Sequence, residues 1–281
     1  MKIAIASGKG GTGKTTVAVN LAKAFKEKVT LIDCDVEEPN CHLFLKSQPE
    51  NEETVYTKIP KINDELCNVC GECSSFCEFN ALASLGVKIL VFPEMCHSCG
   101  GCIKICPQKA ISEIEKPVGV IKTFQIDNIK LLSGFLDIGI AMATPLIKKL
   151  KAKTTQNEIT IIDSPPGVSC PVISTLTDVD FVILVTEATP FGLNDLKLAV
   201  RLIRQMNIPF GVVINRTTSE KNLISDFCNA EKIDVFADIP EDIQIAKNYS
   251  KGNIIIDEMP QYQKKFLDLK EKIKDCLLCR N

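Results

Sequence analysis

The chain has 281 residues, 45% of them hydrophobic, and a formal net charge of −2 at pH 7. The length suits one large domain or two modest ones with a sizeable core, and the near-neutral balance provides no global basic field of the kind that marks a nucleic-acid binder. No apolar run approaches the length of a membrane span and Met1 leads straight into the first predicted strand, so a soluble, cytoplasmic protein is expected, with neither nucleic acid nor membrane as a partner.

Lys2–Ala6 reads as a buried strand, and Val17, Ala18, Leu21, Ala22 and Phe25 form an apolar stripe at helical spacing. Between them lies Ser-Gly-Lys-Gly-Gly-Thr-Gly-Lys-Thr-Thr, residues 7 to 16. Gly8, four residues, then Gly13-Lys14-Thr15 completes a phosphate-binding loop in the strand–turn–helix context that such a loop needs. Backbone N–H groups across Gly8, Lys9, Gly10, Gly11, Thr12 and Gly13, with Thr16 in the first helical turn, would converge on phosphate oxygens at the positive end of the helix dipole. Lys14 would reach the β- and γ-phosphates, and the Thr15 hydroxyl would ligate Mg²⁺. The cofactors expected are therefore ATP or ADP with Mg²⁺. The competing reading is a glycine-rich β–α turn with no ligand.

Lys9, directly after Gly8, gives Lys-Gly-Gly-x-Gly-Lys-Thr-Thr. This resembles the deviant phosphate loop of the MinD/ParA family, which includes the nitrogenase iron protein and the Mrp iron–sulfur carriers. The resemblance implies that Lys9 reaches across a dimer to the other subunit's nucleotide, and so implies an ATP-dependent homodimer. By spacing alone Lys9 is equally well a solvated loop charge.

Val29–Ile32 is a second short strand, running into Asp33-Cys34-Asp35. By resemblance Asp35 holds Mg²⁺ through water and orients the attacking water, and Asn40 also matches a family position. Capping or a turn is the alternative role for these residues. Cys34 and Cys41 read as small buried hydrophobes. Residues 47–57 turn polar and read as a boundary.

A different module follows. Cys67, Cys70, Cys73 and Cys77 are spaced C-x2-C-x2-C-x3-C, and Cys96, Cys99, Cys102 and Cys106 repeat that spacing with Pro107 behind. This is the bacterial two-cluster ferredoxin pattern, in which the fourth cysteine of each run serves the other cluster. Cys67, Cys70, Cys73 and Cys106 are thus expected on one [4Fe–4S] cluster, and Cys96, Cys99, Cys102 and Cys77 on the other. Fourteen cysteines beside a nucleotide site in a cytoplasmic chain favour metal over disulfides. Glu78 stands where proline is usual, and His97, inside a cysteine loop, reads as a tuning or solvated group. The expected organisation is a first ATPase segment over 1–59, an inserted ferredoxin domain over 60–116 and a second ATPase segment over 117–281.

Pro145-Leu146-Ile147 opens a predicted helix. Ile159–Ile162 is a strand ending in Asp163, the second Mg²⁺-associated carboxylate expected, and Gly167 stands at a γ-phosphate sensor position. Cys170 reads first as a small buried thiol, with a conditional metal or cofactor contact as the alternative. Phe181–Val185 and Gly211–Ile214 are strands, with an amphipathic helix on Leu193, Leu196, Val200 and Ile203 between them. The resemblance implies that Asn215 contacts adenine and that Pro240 packs near the base. Asn215 is followed by Arg216-Thr217-Thr218 rather than by a guanine-reading Asn-Lys-x-Asp motif, which favours ATP. Ile243, Ala246 and Lys247 suggest a short helix, Ile254–Ile256 a short strand, and Pro260 begins a last helix carrying Cys276 and Cys279 at an i, i+3 spacing.

Strands alternating with helices predict an α/β fold, a mostly parallel sheet covered on both faces, with a small α+β bacterial-type ferredoxin domain inserted. The chain is similar over nearly its whole length to MinD-superfamily ATPases that carry such an insert. The resemblance implies an ATPase whose nucleotide-driven dimer switch is coupled to electron transfer or to metallocofactor or iron–sulfur assembly, acting on a redox or metallocofactor protein. The other reading is a positioning or regulatory switch with redox-sensing clusters, its last helix touching a membrane rather than packing in the core.

Overall fold

The computed structural model describes residues 1–155, 158–218 and 222–278. In chain order the elements are β1 (Lys2–Ala6), α1 (Lys14–Ala24), β2 (Val29–Asp33), α2 (Cys41–Leu45), β3 (Asn51–Ile62), α3 (Glu72–Phe76), β4 (Leu82–Ser84) and β5 (Ile89–Val91). A 3-10 turn (Pro93–Met95) precedes α4 (Gly101–Ile105), β6 (Ile111–Ile126), β7 (Ile129–Leu136), α5 (Thr144–Lys151), β8 (Ile159–Asp163) and α6 (Cys170–Leu176). The chain continues through β9 (Phe181–Glu187), α7 (Pro190–Gln205), β10 (Phe210–Thr217), α8 (Leu223–Ala230), β11 (Val235–Pro240), α9 (Ile243–Ser250), α10 (Ile255–Glu258) and α11 (Pro260–Leu278).

Two compact units result. The first takes Met1–Glu53, Ile121–Phe135 and Ile147–Asn281; the second takes Thr54–Val120 and Leu136–Leu146. The second unit's main segment contains the 60–116 stretch singled out by its cysteines, and it adds a separate stretch, 136–146, that nothing in the sequence pattern marked.

In the first unit the strand order runs β11-β10-β9-β1-β8-β2-β7, with neighbouring strands paired in parallel. A parallel sheet with crossover helices hides both faces, so its strands are apolar throughout rather than alternating. Ile3, Ile5, Leu31, Ile161, Ile183 and Val213 are buried accordingly. Each such side chain contributes about 1.5–3 kcal/mol when taken from water. The parts of β6 and β3 that belong to this unit extend the sheet to nine strands.

Helix α11 lays Phe266, Leu269 and Ile273 into the same core as Phe25. Its apolar face is thereby occupied, which supports core packing over membrane contact for this helix. No described helix is long and apolar enough to cross a membrane. Ile254–Ile256, expected as a strand, instead cap and begin α10. The Ile256 N–H donates to Asn20 Oδ1 at 3.0 Å, and Ile255 packs with Met259 and Tyr262. A three-residue apolar run has no readable period, so the tertiary contacts with α1 and α11 decide its conformation.

Besides the short β4 and β5 of the cysteine repeat, strands β3, β6 and β7 went unforeseen. Residues 47–57 read as a polar boundary, yet β3 begins at Asn51 and buries only Val55, Thr57, Ile59 and Pro60 among its first ten residues. Strands β6 and β7 meet at a two-residue turn where Asp127 has φ 49°, and Asn128 Nδ2 bonds the Phe25 carbonyl at 2.9 Å.

The second unit repeats one motif twice. Val69 and Ser98, Gly71 and Gly100, and Asn80 and Lys109 all have positive φ at matching places in the two cysteine runs. Gly71 and Gly100 each cap a short helix, α3 and α4. Val69 is β-branched, for which positive φ (55°) is a genuine outlier. Strain recurring at one position of a repeat points to a local backbone shape that the site requires. The unit's core is small: Cys73, Cys102, Leu82, Ile89 and Ile111.

Candidate functional site

The loop after β1 turns into α1 through Gly13, whose φ of 95° is left-handed and which supplies no side-chain cap. The first N–H groups of α1 are thus left for an anion. A side chain at Gly13 would be strained by the left-handed φ and would displace the Asn215 amide, and none fits at Gly8, where a Cβ would overlap the Asp195 carbonyl. Gly10, Gly11, Gly13, Lys14, Thr15 and Thr16 line a cavity of about 760 Å³, shared with Asp35, Asn40, Asn215 and Pro240. That volume suits a small-molecule ligand. Thr12 is buried, and its Oγ1 finds no partner. Asn215 Nδ2 donates to the Thr12 carbonyl at 2.8 Å, so its amide braces the phosphate loop as well as bordering the cavity.

Three carboxylates gather beneath the loop. Asp33 and Asp163 are register partners on the adjacent parallel strands β2 and β8, and both are fully buried. The Thr15 hydroxyl donates to Asp163 Oδ2 at 2.5 Å, while Asp163 Oδ1 has no partner. Among the described residues, only Asp33, Cys41 and Asp163 bring three possible metal-donor atoms within 4.8 Å of one another. Cys41 is buried, as expected, but its thiol also donates to Asp163 Oδ2 at 3.6 Å. Cys34 is buried without such a role.

Asp33 was not among the expected site residues. Its carboxylate accepts the Asn40 and Cys41 N–H groups at 2.9 Å each and the Asp35 N–H at 3.3 Å. Ser133, on β7, adds its hydroxyl at 3.3 Å. Asp33 therefore shapes the loop that carries Asp35 and Asn40. The available signal was its strand-end position beside Asp35; its partners on β7 and β8 are remote in sequence.

Burial pushes the Asp33 carboxyl up to about 7 from 3.8, with Asp163 and then Asp35 adding repulsion against the N–H groups that oppose it. Asp163 is raised by burial too, moderated by the Thr15 hydroxyl and Lys14. Asp35 is pushed to about 6, by burial first and Asp163 second. A carboxyl raised in the folded state binds more protons there than in the unfolded chain. Stability is then highest below the unfolded pKa and falls as pH rises through the folded one. We expect the thermal midpoint of the nucleotide-free, Mg²⁺-free protein to fall between about pH 4 and 7, and Asp33→Asn to flatten that slope. An unchanged slope in the variant would show that Asp33 is ionised throughout.

Lys9 does not line the cavity. Its Nζ lies 3.3 Å from Glu187 Oε2 at the end of β9, and Glu187 Oε1 takes Arg216 at 2.6 Å. Glu187 was also unforeseen, because nothing local in the sequence links a strand-end glutamate to the phosphate loop. Gly167 has φ 93° and donates its N–H to the Ser7 carbonyl at 3.0 Å, joining the Pro-Pro-Gly turn to the loop. Cys170, expected first as a buried thiol, is exposed at the start of α6. The turn before it leaves the helix N-terminus at the surface.

The cysteines of the second unit fall into two groups. Cys67, Cys70, Cys73 and Cys106 line one cavity. Cys77, Cys96, Cys99 and Cys102 line another. The last cysteine of each run thus sits with the first three of the other. Burial raises the Cys73 and Cys96 thiols and takes Cys102 to about 11. Backbone N–H groups aim at sulfur, with Ser98 N on Cys96 Sγ at 3.5 Å and Ala110 N on Cys106 Sγ at 3.3 Å. His97 is exposed and stacks on Phe79. Cys276 packs at the edge of the first unit's core, and Cys279 lies outside the described residues.

Residues 3–255 match the family described as the CobQ/CobB/MinD/ParA nucleotide-binding domain. An uncharacterised protein of Methanocaldococcus jannaschii is 33% identical over 98% of this chain and 97% of its own length. An iron–sulfur cluster carrier protein of Pyrococcus horikoshii is 26% identical over 97% of this chain and 85% of its own. Among solved structures, the septum site-determining protein MinD of Pyrococcus horikoshii, complexed with Mg-ADP, superposes with a TM-score of 0.62 at 21% identity. That likeness spans 97% of this chain and 95% of the other.

Proposed function

The chain belongs to the CobQ/CobB/MinD/ParA nucleotide-binding family, and from that premise we propose that it is an ATP-hydrolysing iron–sulfur protein whose nucleotide state governs electron transfer to a partner protein. The observation that carries the iron–sulfur half is the exchange of Cys77 and Cys106 between the two cysteine cavities, the arrangement two [4Fe–4S] clusters require. Among the described residues, neither set brings three sulfurs within 4.8 Å of one another. A single tetrahedral zinc, with Zn–S near about 2.3 Å, needs them closer. The second unit is read on this ground as a ferredoxin-type insert. The Pyrococcus horikoshii carrier's name adds support for iron–sulfur chemistry. Four thiols at each site hold a cluster completely, which favours electron transfer over cluster hand-off.

For the nucleotide half, Lys14 and the α1 N–H groups would hold the phosphates. The unpartnered Asp163 oxygen beside the Thr15 hydroxyl fits a hydrated Mg²⁺, which would neutralise phosphate charge when bound. Asp35, raised towards neutrality, is suited to orient water and take its proton. Lys9 would leave Glu187 and cross to a second copy of the chain when ATP closes the dimer.

Anaerobically reconstituted protein is expected to carry about eight irons and eight sulfides, with EPR signals of reduced [4Fe–4S] clusters, and slow Mg²⁺-dependent ATP hydrolysis. Lys9→Ala is expected to retain nucleotide binding but to stay monomeric with a non-hydrolysable ATP analogue. Zinc in place of iron, or one cluster per chain, would overturn the iron–sulfur assignment. Normal dimerisation of Lys9→Ala would overturn the trans role.

A further inference from the structure

The repeat makes the two cysteine sites comparable position by position, and they are not alike. The site of Cys77, Cys96, Cys99 and Cys102 opens on a cavity of about 570 Å³, whereas that of Cys67, Cys70, Cys73 and Cys106 has about 10 Å³. The larger cavity has a buried floor at Ile59, Pro60, Ala81, Leu82, Cys96 and Cys102. Its rim is exposed and includes Phe79, His97 and Cys99.

The sites differ at several repeat-related positions, Phe76 and Glu78 against Ile105 and Pro107 among them, and one pair of these positions forms a wall. Phe79 stands two residues after Cys77, and His97 follows Cys96 directly. Their rings stack with centroids 3.7 Å apart and planes 11° from parallel, forming one rigid wall of the mouth. At the same places in the other site stand Gln108 and Asn68, both lining the smaller cavity. No aromatic wall stands there.

We infer that the two sites are unequal in access, that the site of Cys77, Cys96, Cys99 and Cys102 is the one that exchanges with the outside, and that the Phe79–His97 wall sets how open it is. One thiol of each set, Cys99 and Cys70, is exposed, so the inequality lies in the room beside the site, which admits a small molecule next to Cys77, Cys96, Cys99 and Cys102 and leaves none next to the other four. Phe79 is 39% exposed and outside the buried core, so its substitution leaves the fold standing. It acts on access to the site and ligates nothing.

The inference rests on the reading that the cysteines hold iron, and the test separates the two. Fully loaded protein is treated anaerobically, under reducing conditions, with a water-soluble ferrous-iron chelator, and iron release is followed by absorbance. Two phases are expected, each of about four irons. Iodoacetamide added after the fast phase should label Cys77, Cys96, Cys99 and Cys102 and spare the other four. Phe79→Ala should speed the fast phase severalfold, and Phe79→Trp, which keeps a larger wall, should slow it, with the slow phase unmoved in both. Release in a single phase, first labelling of Cys67, Cys70, Cys73 and Cys106, or a fast phase indifferent to both Phe79 variants would overturn the inference. Protein that takes up no iron at all would instead overturn the iron–sulfur assignment beneath it.

Discussion

Replacing Cys106 with alanine is expected to remove the iron held by Cys67, Cys70 and Cys73 and to spare the iron held by Cys106's own neighbours in sequence, Cys96, Cys99 and Cys102. The geometry gives this counterintuitive direction. Cys106 lines the cavity of the first run, and after burial the charges of Cys106 and Cys67 add to the upward push on the Cys73 thiol. A thiolate site that loses one of four soft donors leaves an iron with an open position, and burial then favours the protonated thiols over a damaged cluster. The iron count should fall from about eight to about four, with the signal of one intact cluster remaining. Cys77→Ala should give the mirror result. Retention of the first-run iron in Cys106→Ala would mean that each run binds its own metal.

Lys14→Ala is expected to weaken ATP binding on the order of a hundredfold, the loss of about 3 kcal/mol from a charge-assisted phosphate contact. Lys14 is 6% exposed and is the cation that lowers both Asp35 and Asp163. Its removal takes from the buried carboxylates the lysine that offsets their charge where the phosphates would enter. Titration calorimetry with ADP and Mg²⁺ measures the loss directly. A Kd within a few fold of the parent would show that the backbone N–H groups suffice. Lys9→Ala is the control, because its side chain pairs with Glu187 away from the cavity.

Contiguous chemistry was legible from the residues. The run from Gly8 to Thr16 and the spacing of the eight cysteines are local patterns, in which each backbone turn is set by the residues within it. The strong elements were legible for the same reason: β1, β8 and β9 are continuous apolar runs of strand length, and α1 and α7 repeat apolar residues at helical spacing. Polar or short stretches misled. Strand β3 passed as a boundary because its exposed first four residues, Asn51–Thr54, are polar, and Ile254–Ile256 passed as a strand because three residues fit any period.

The sequence by itself determined the kinds of chemistry present: a phosphate loop with a second lysine, two strand-end aspartates after short apolar runs, and a duplicated four-cysteine motif. These depend on which residue types lie within a few positions of each other, and that is fixed when the chain is written. Only the tertiary structure decided how they are joined. It set Asp33 beside Asp163 and under Ser133, braced Thr12 with Asn215, gave Lys9 to Glu187, and joined residues 136–146 to the second unit. Apart from Asp33, Asp163 and Ser133, which follow from strand register, these contacts lie in loops and at strand ends. The partners in each are remote along the chain and meet because a parallel sheet orders its strands by crossover rather than by sequence, bringing their carboxyl ends to one edge.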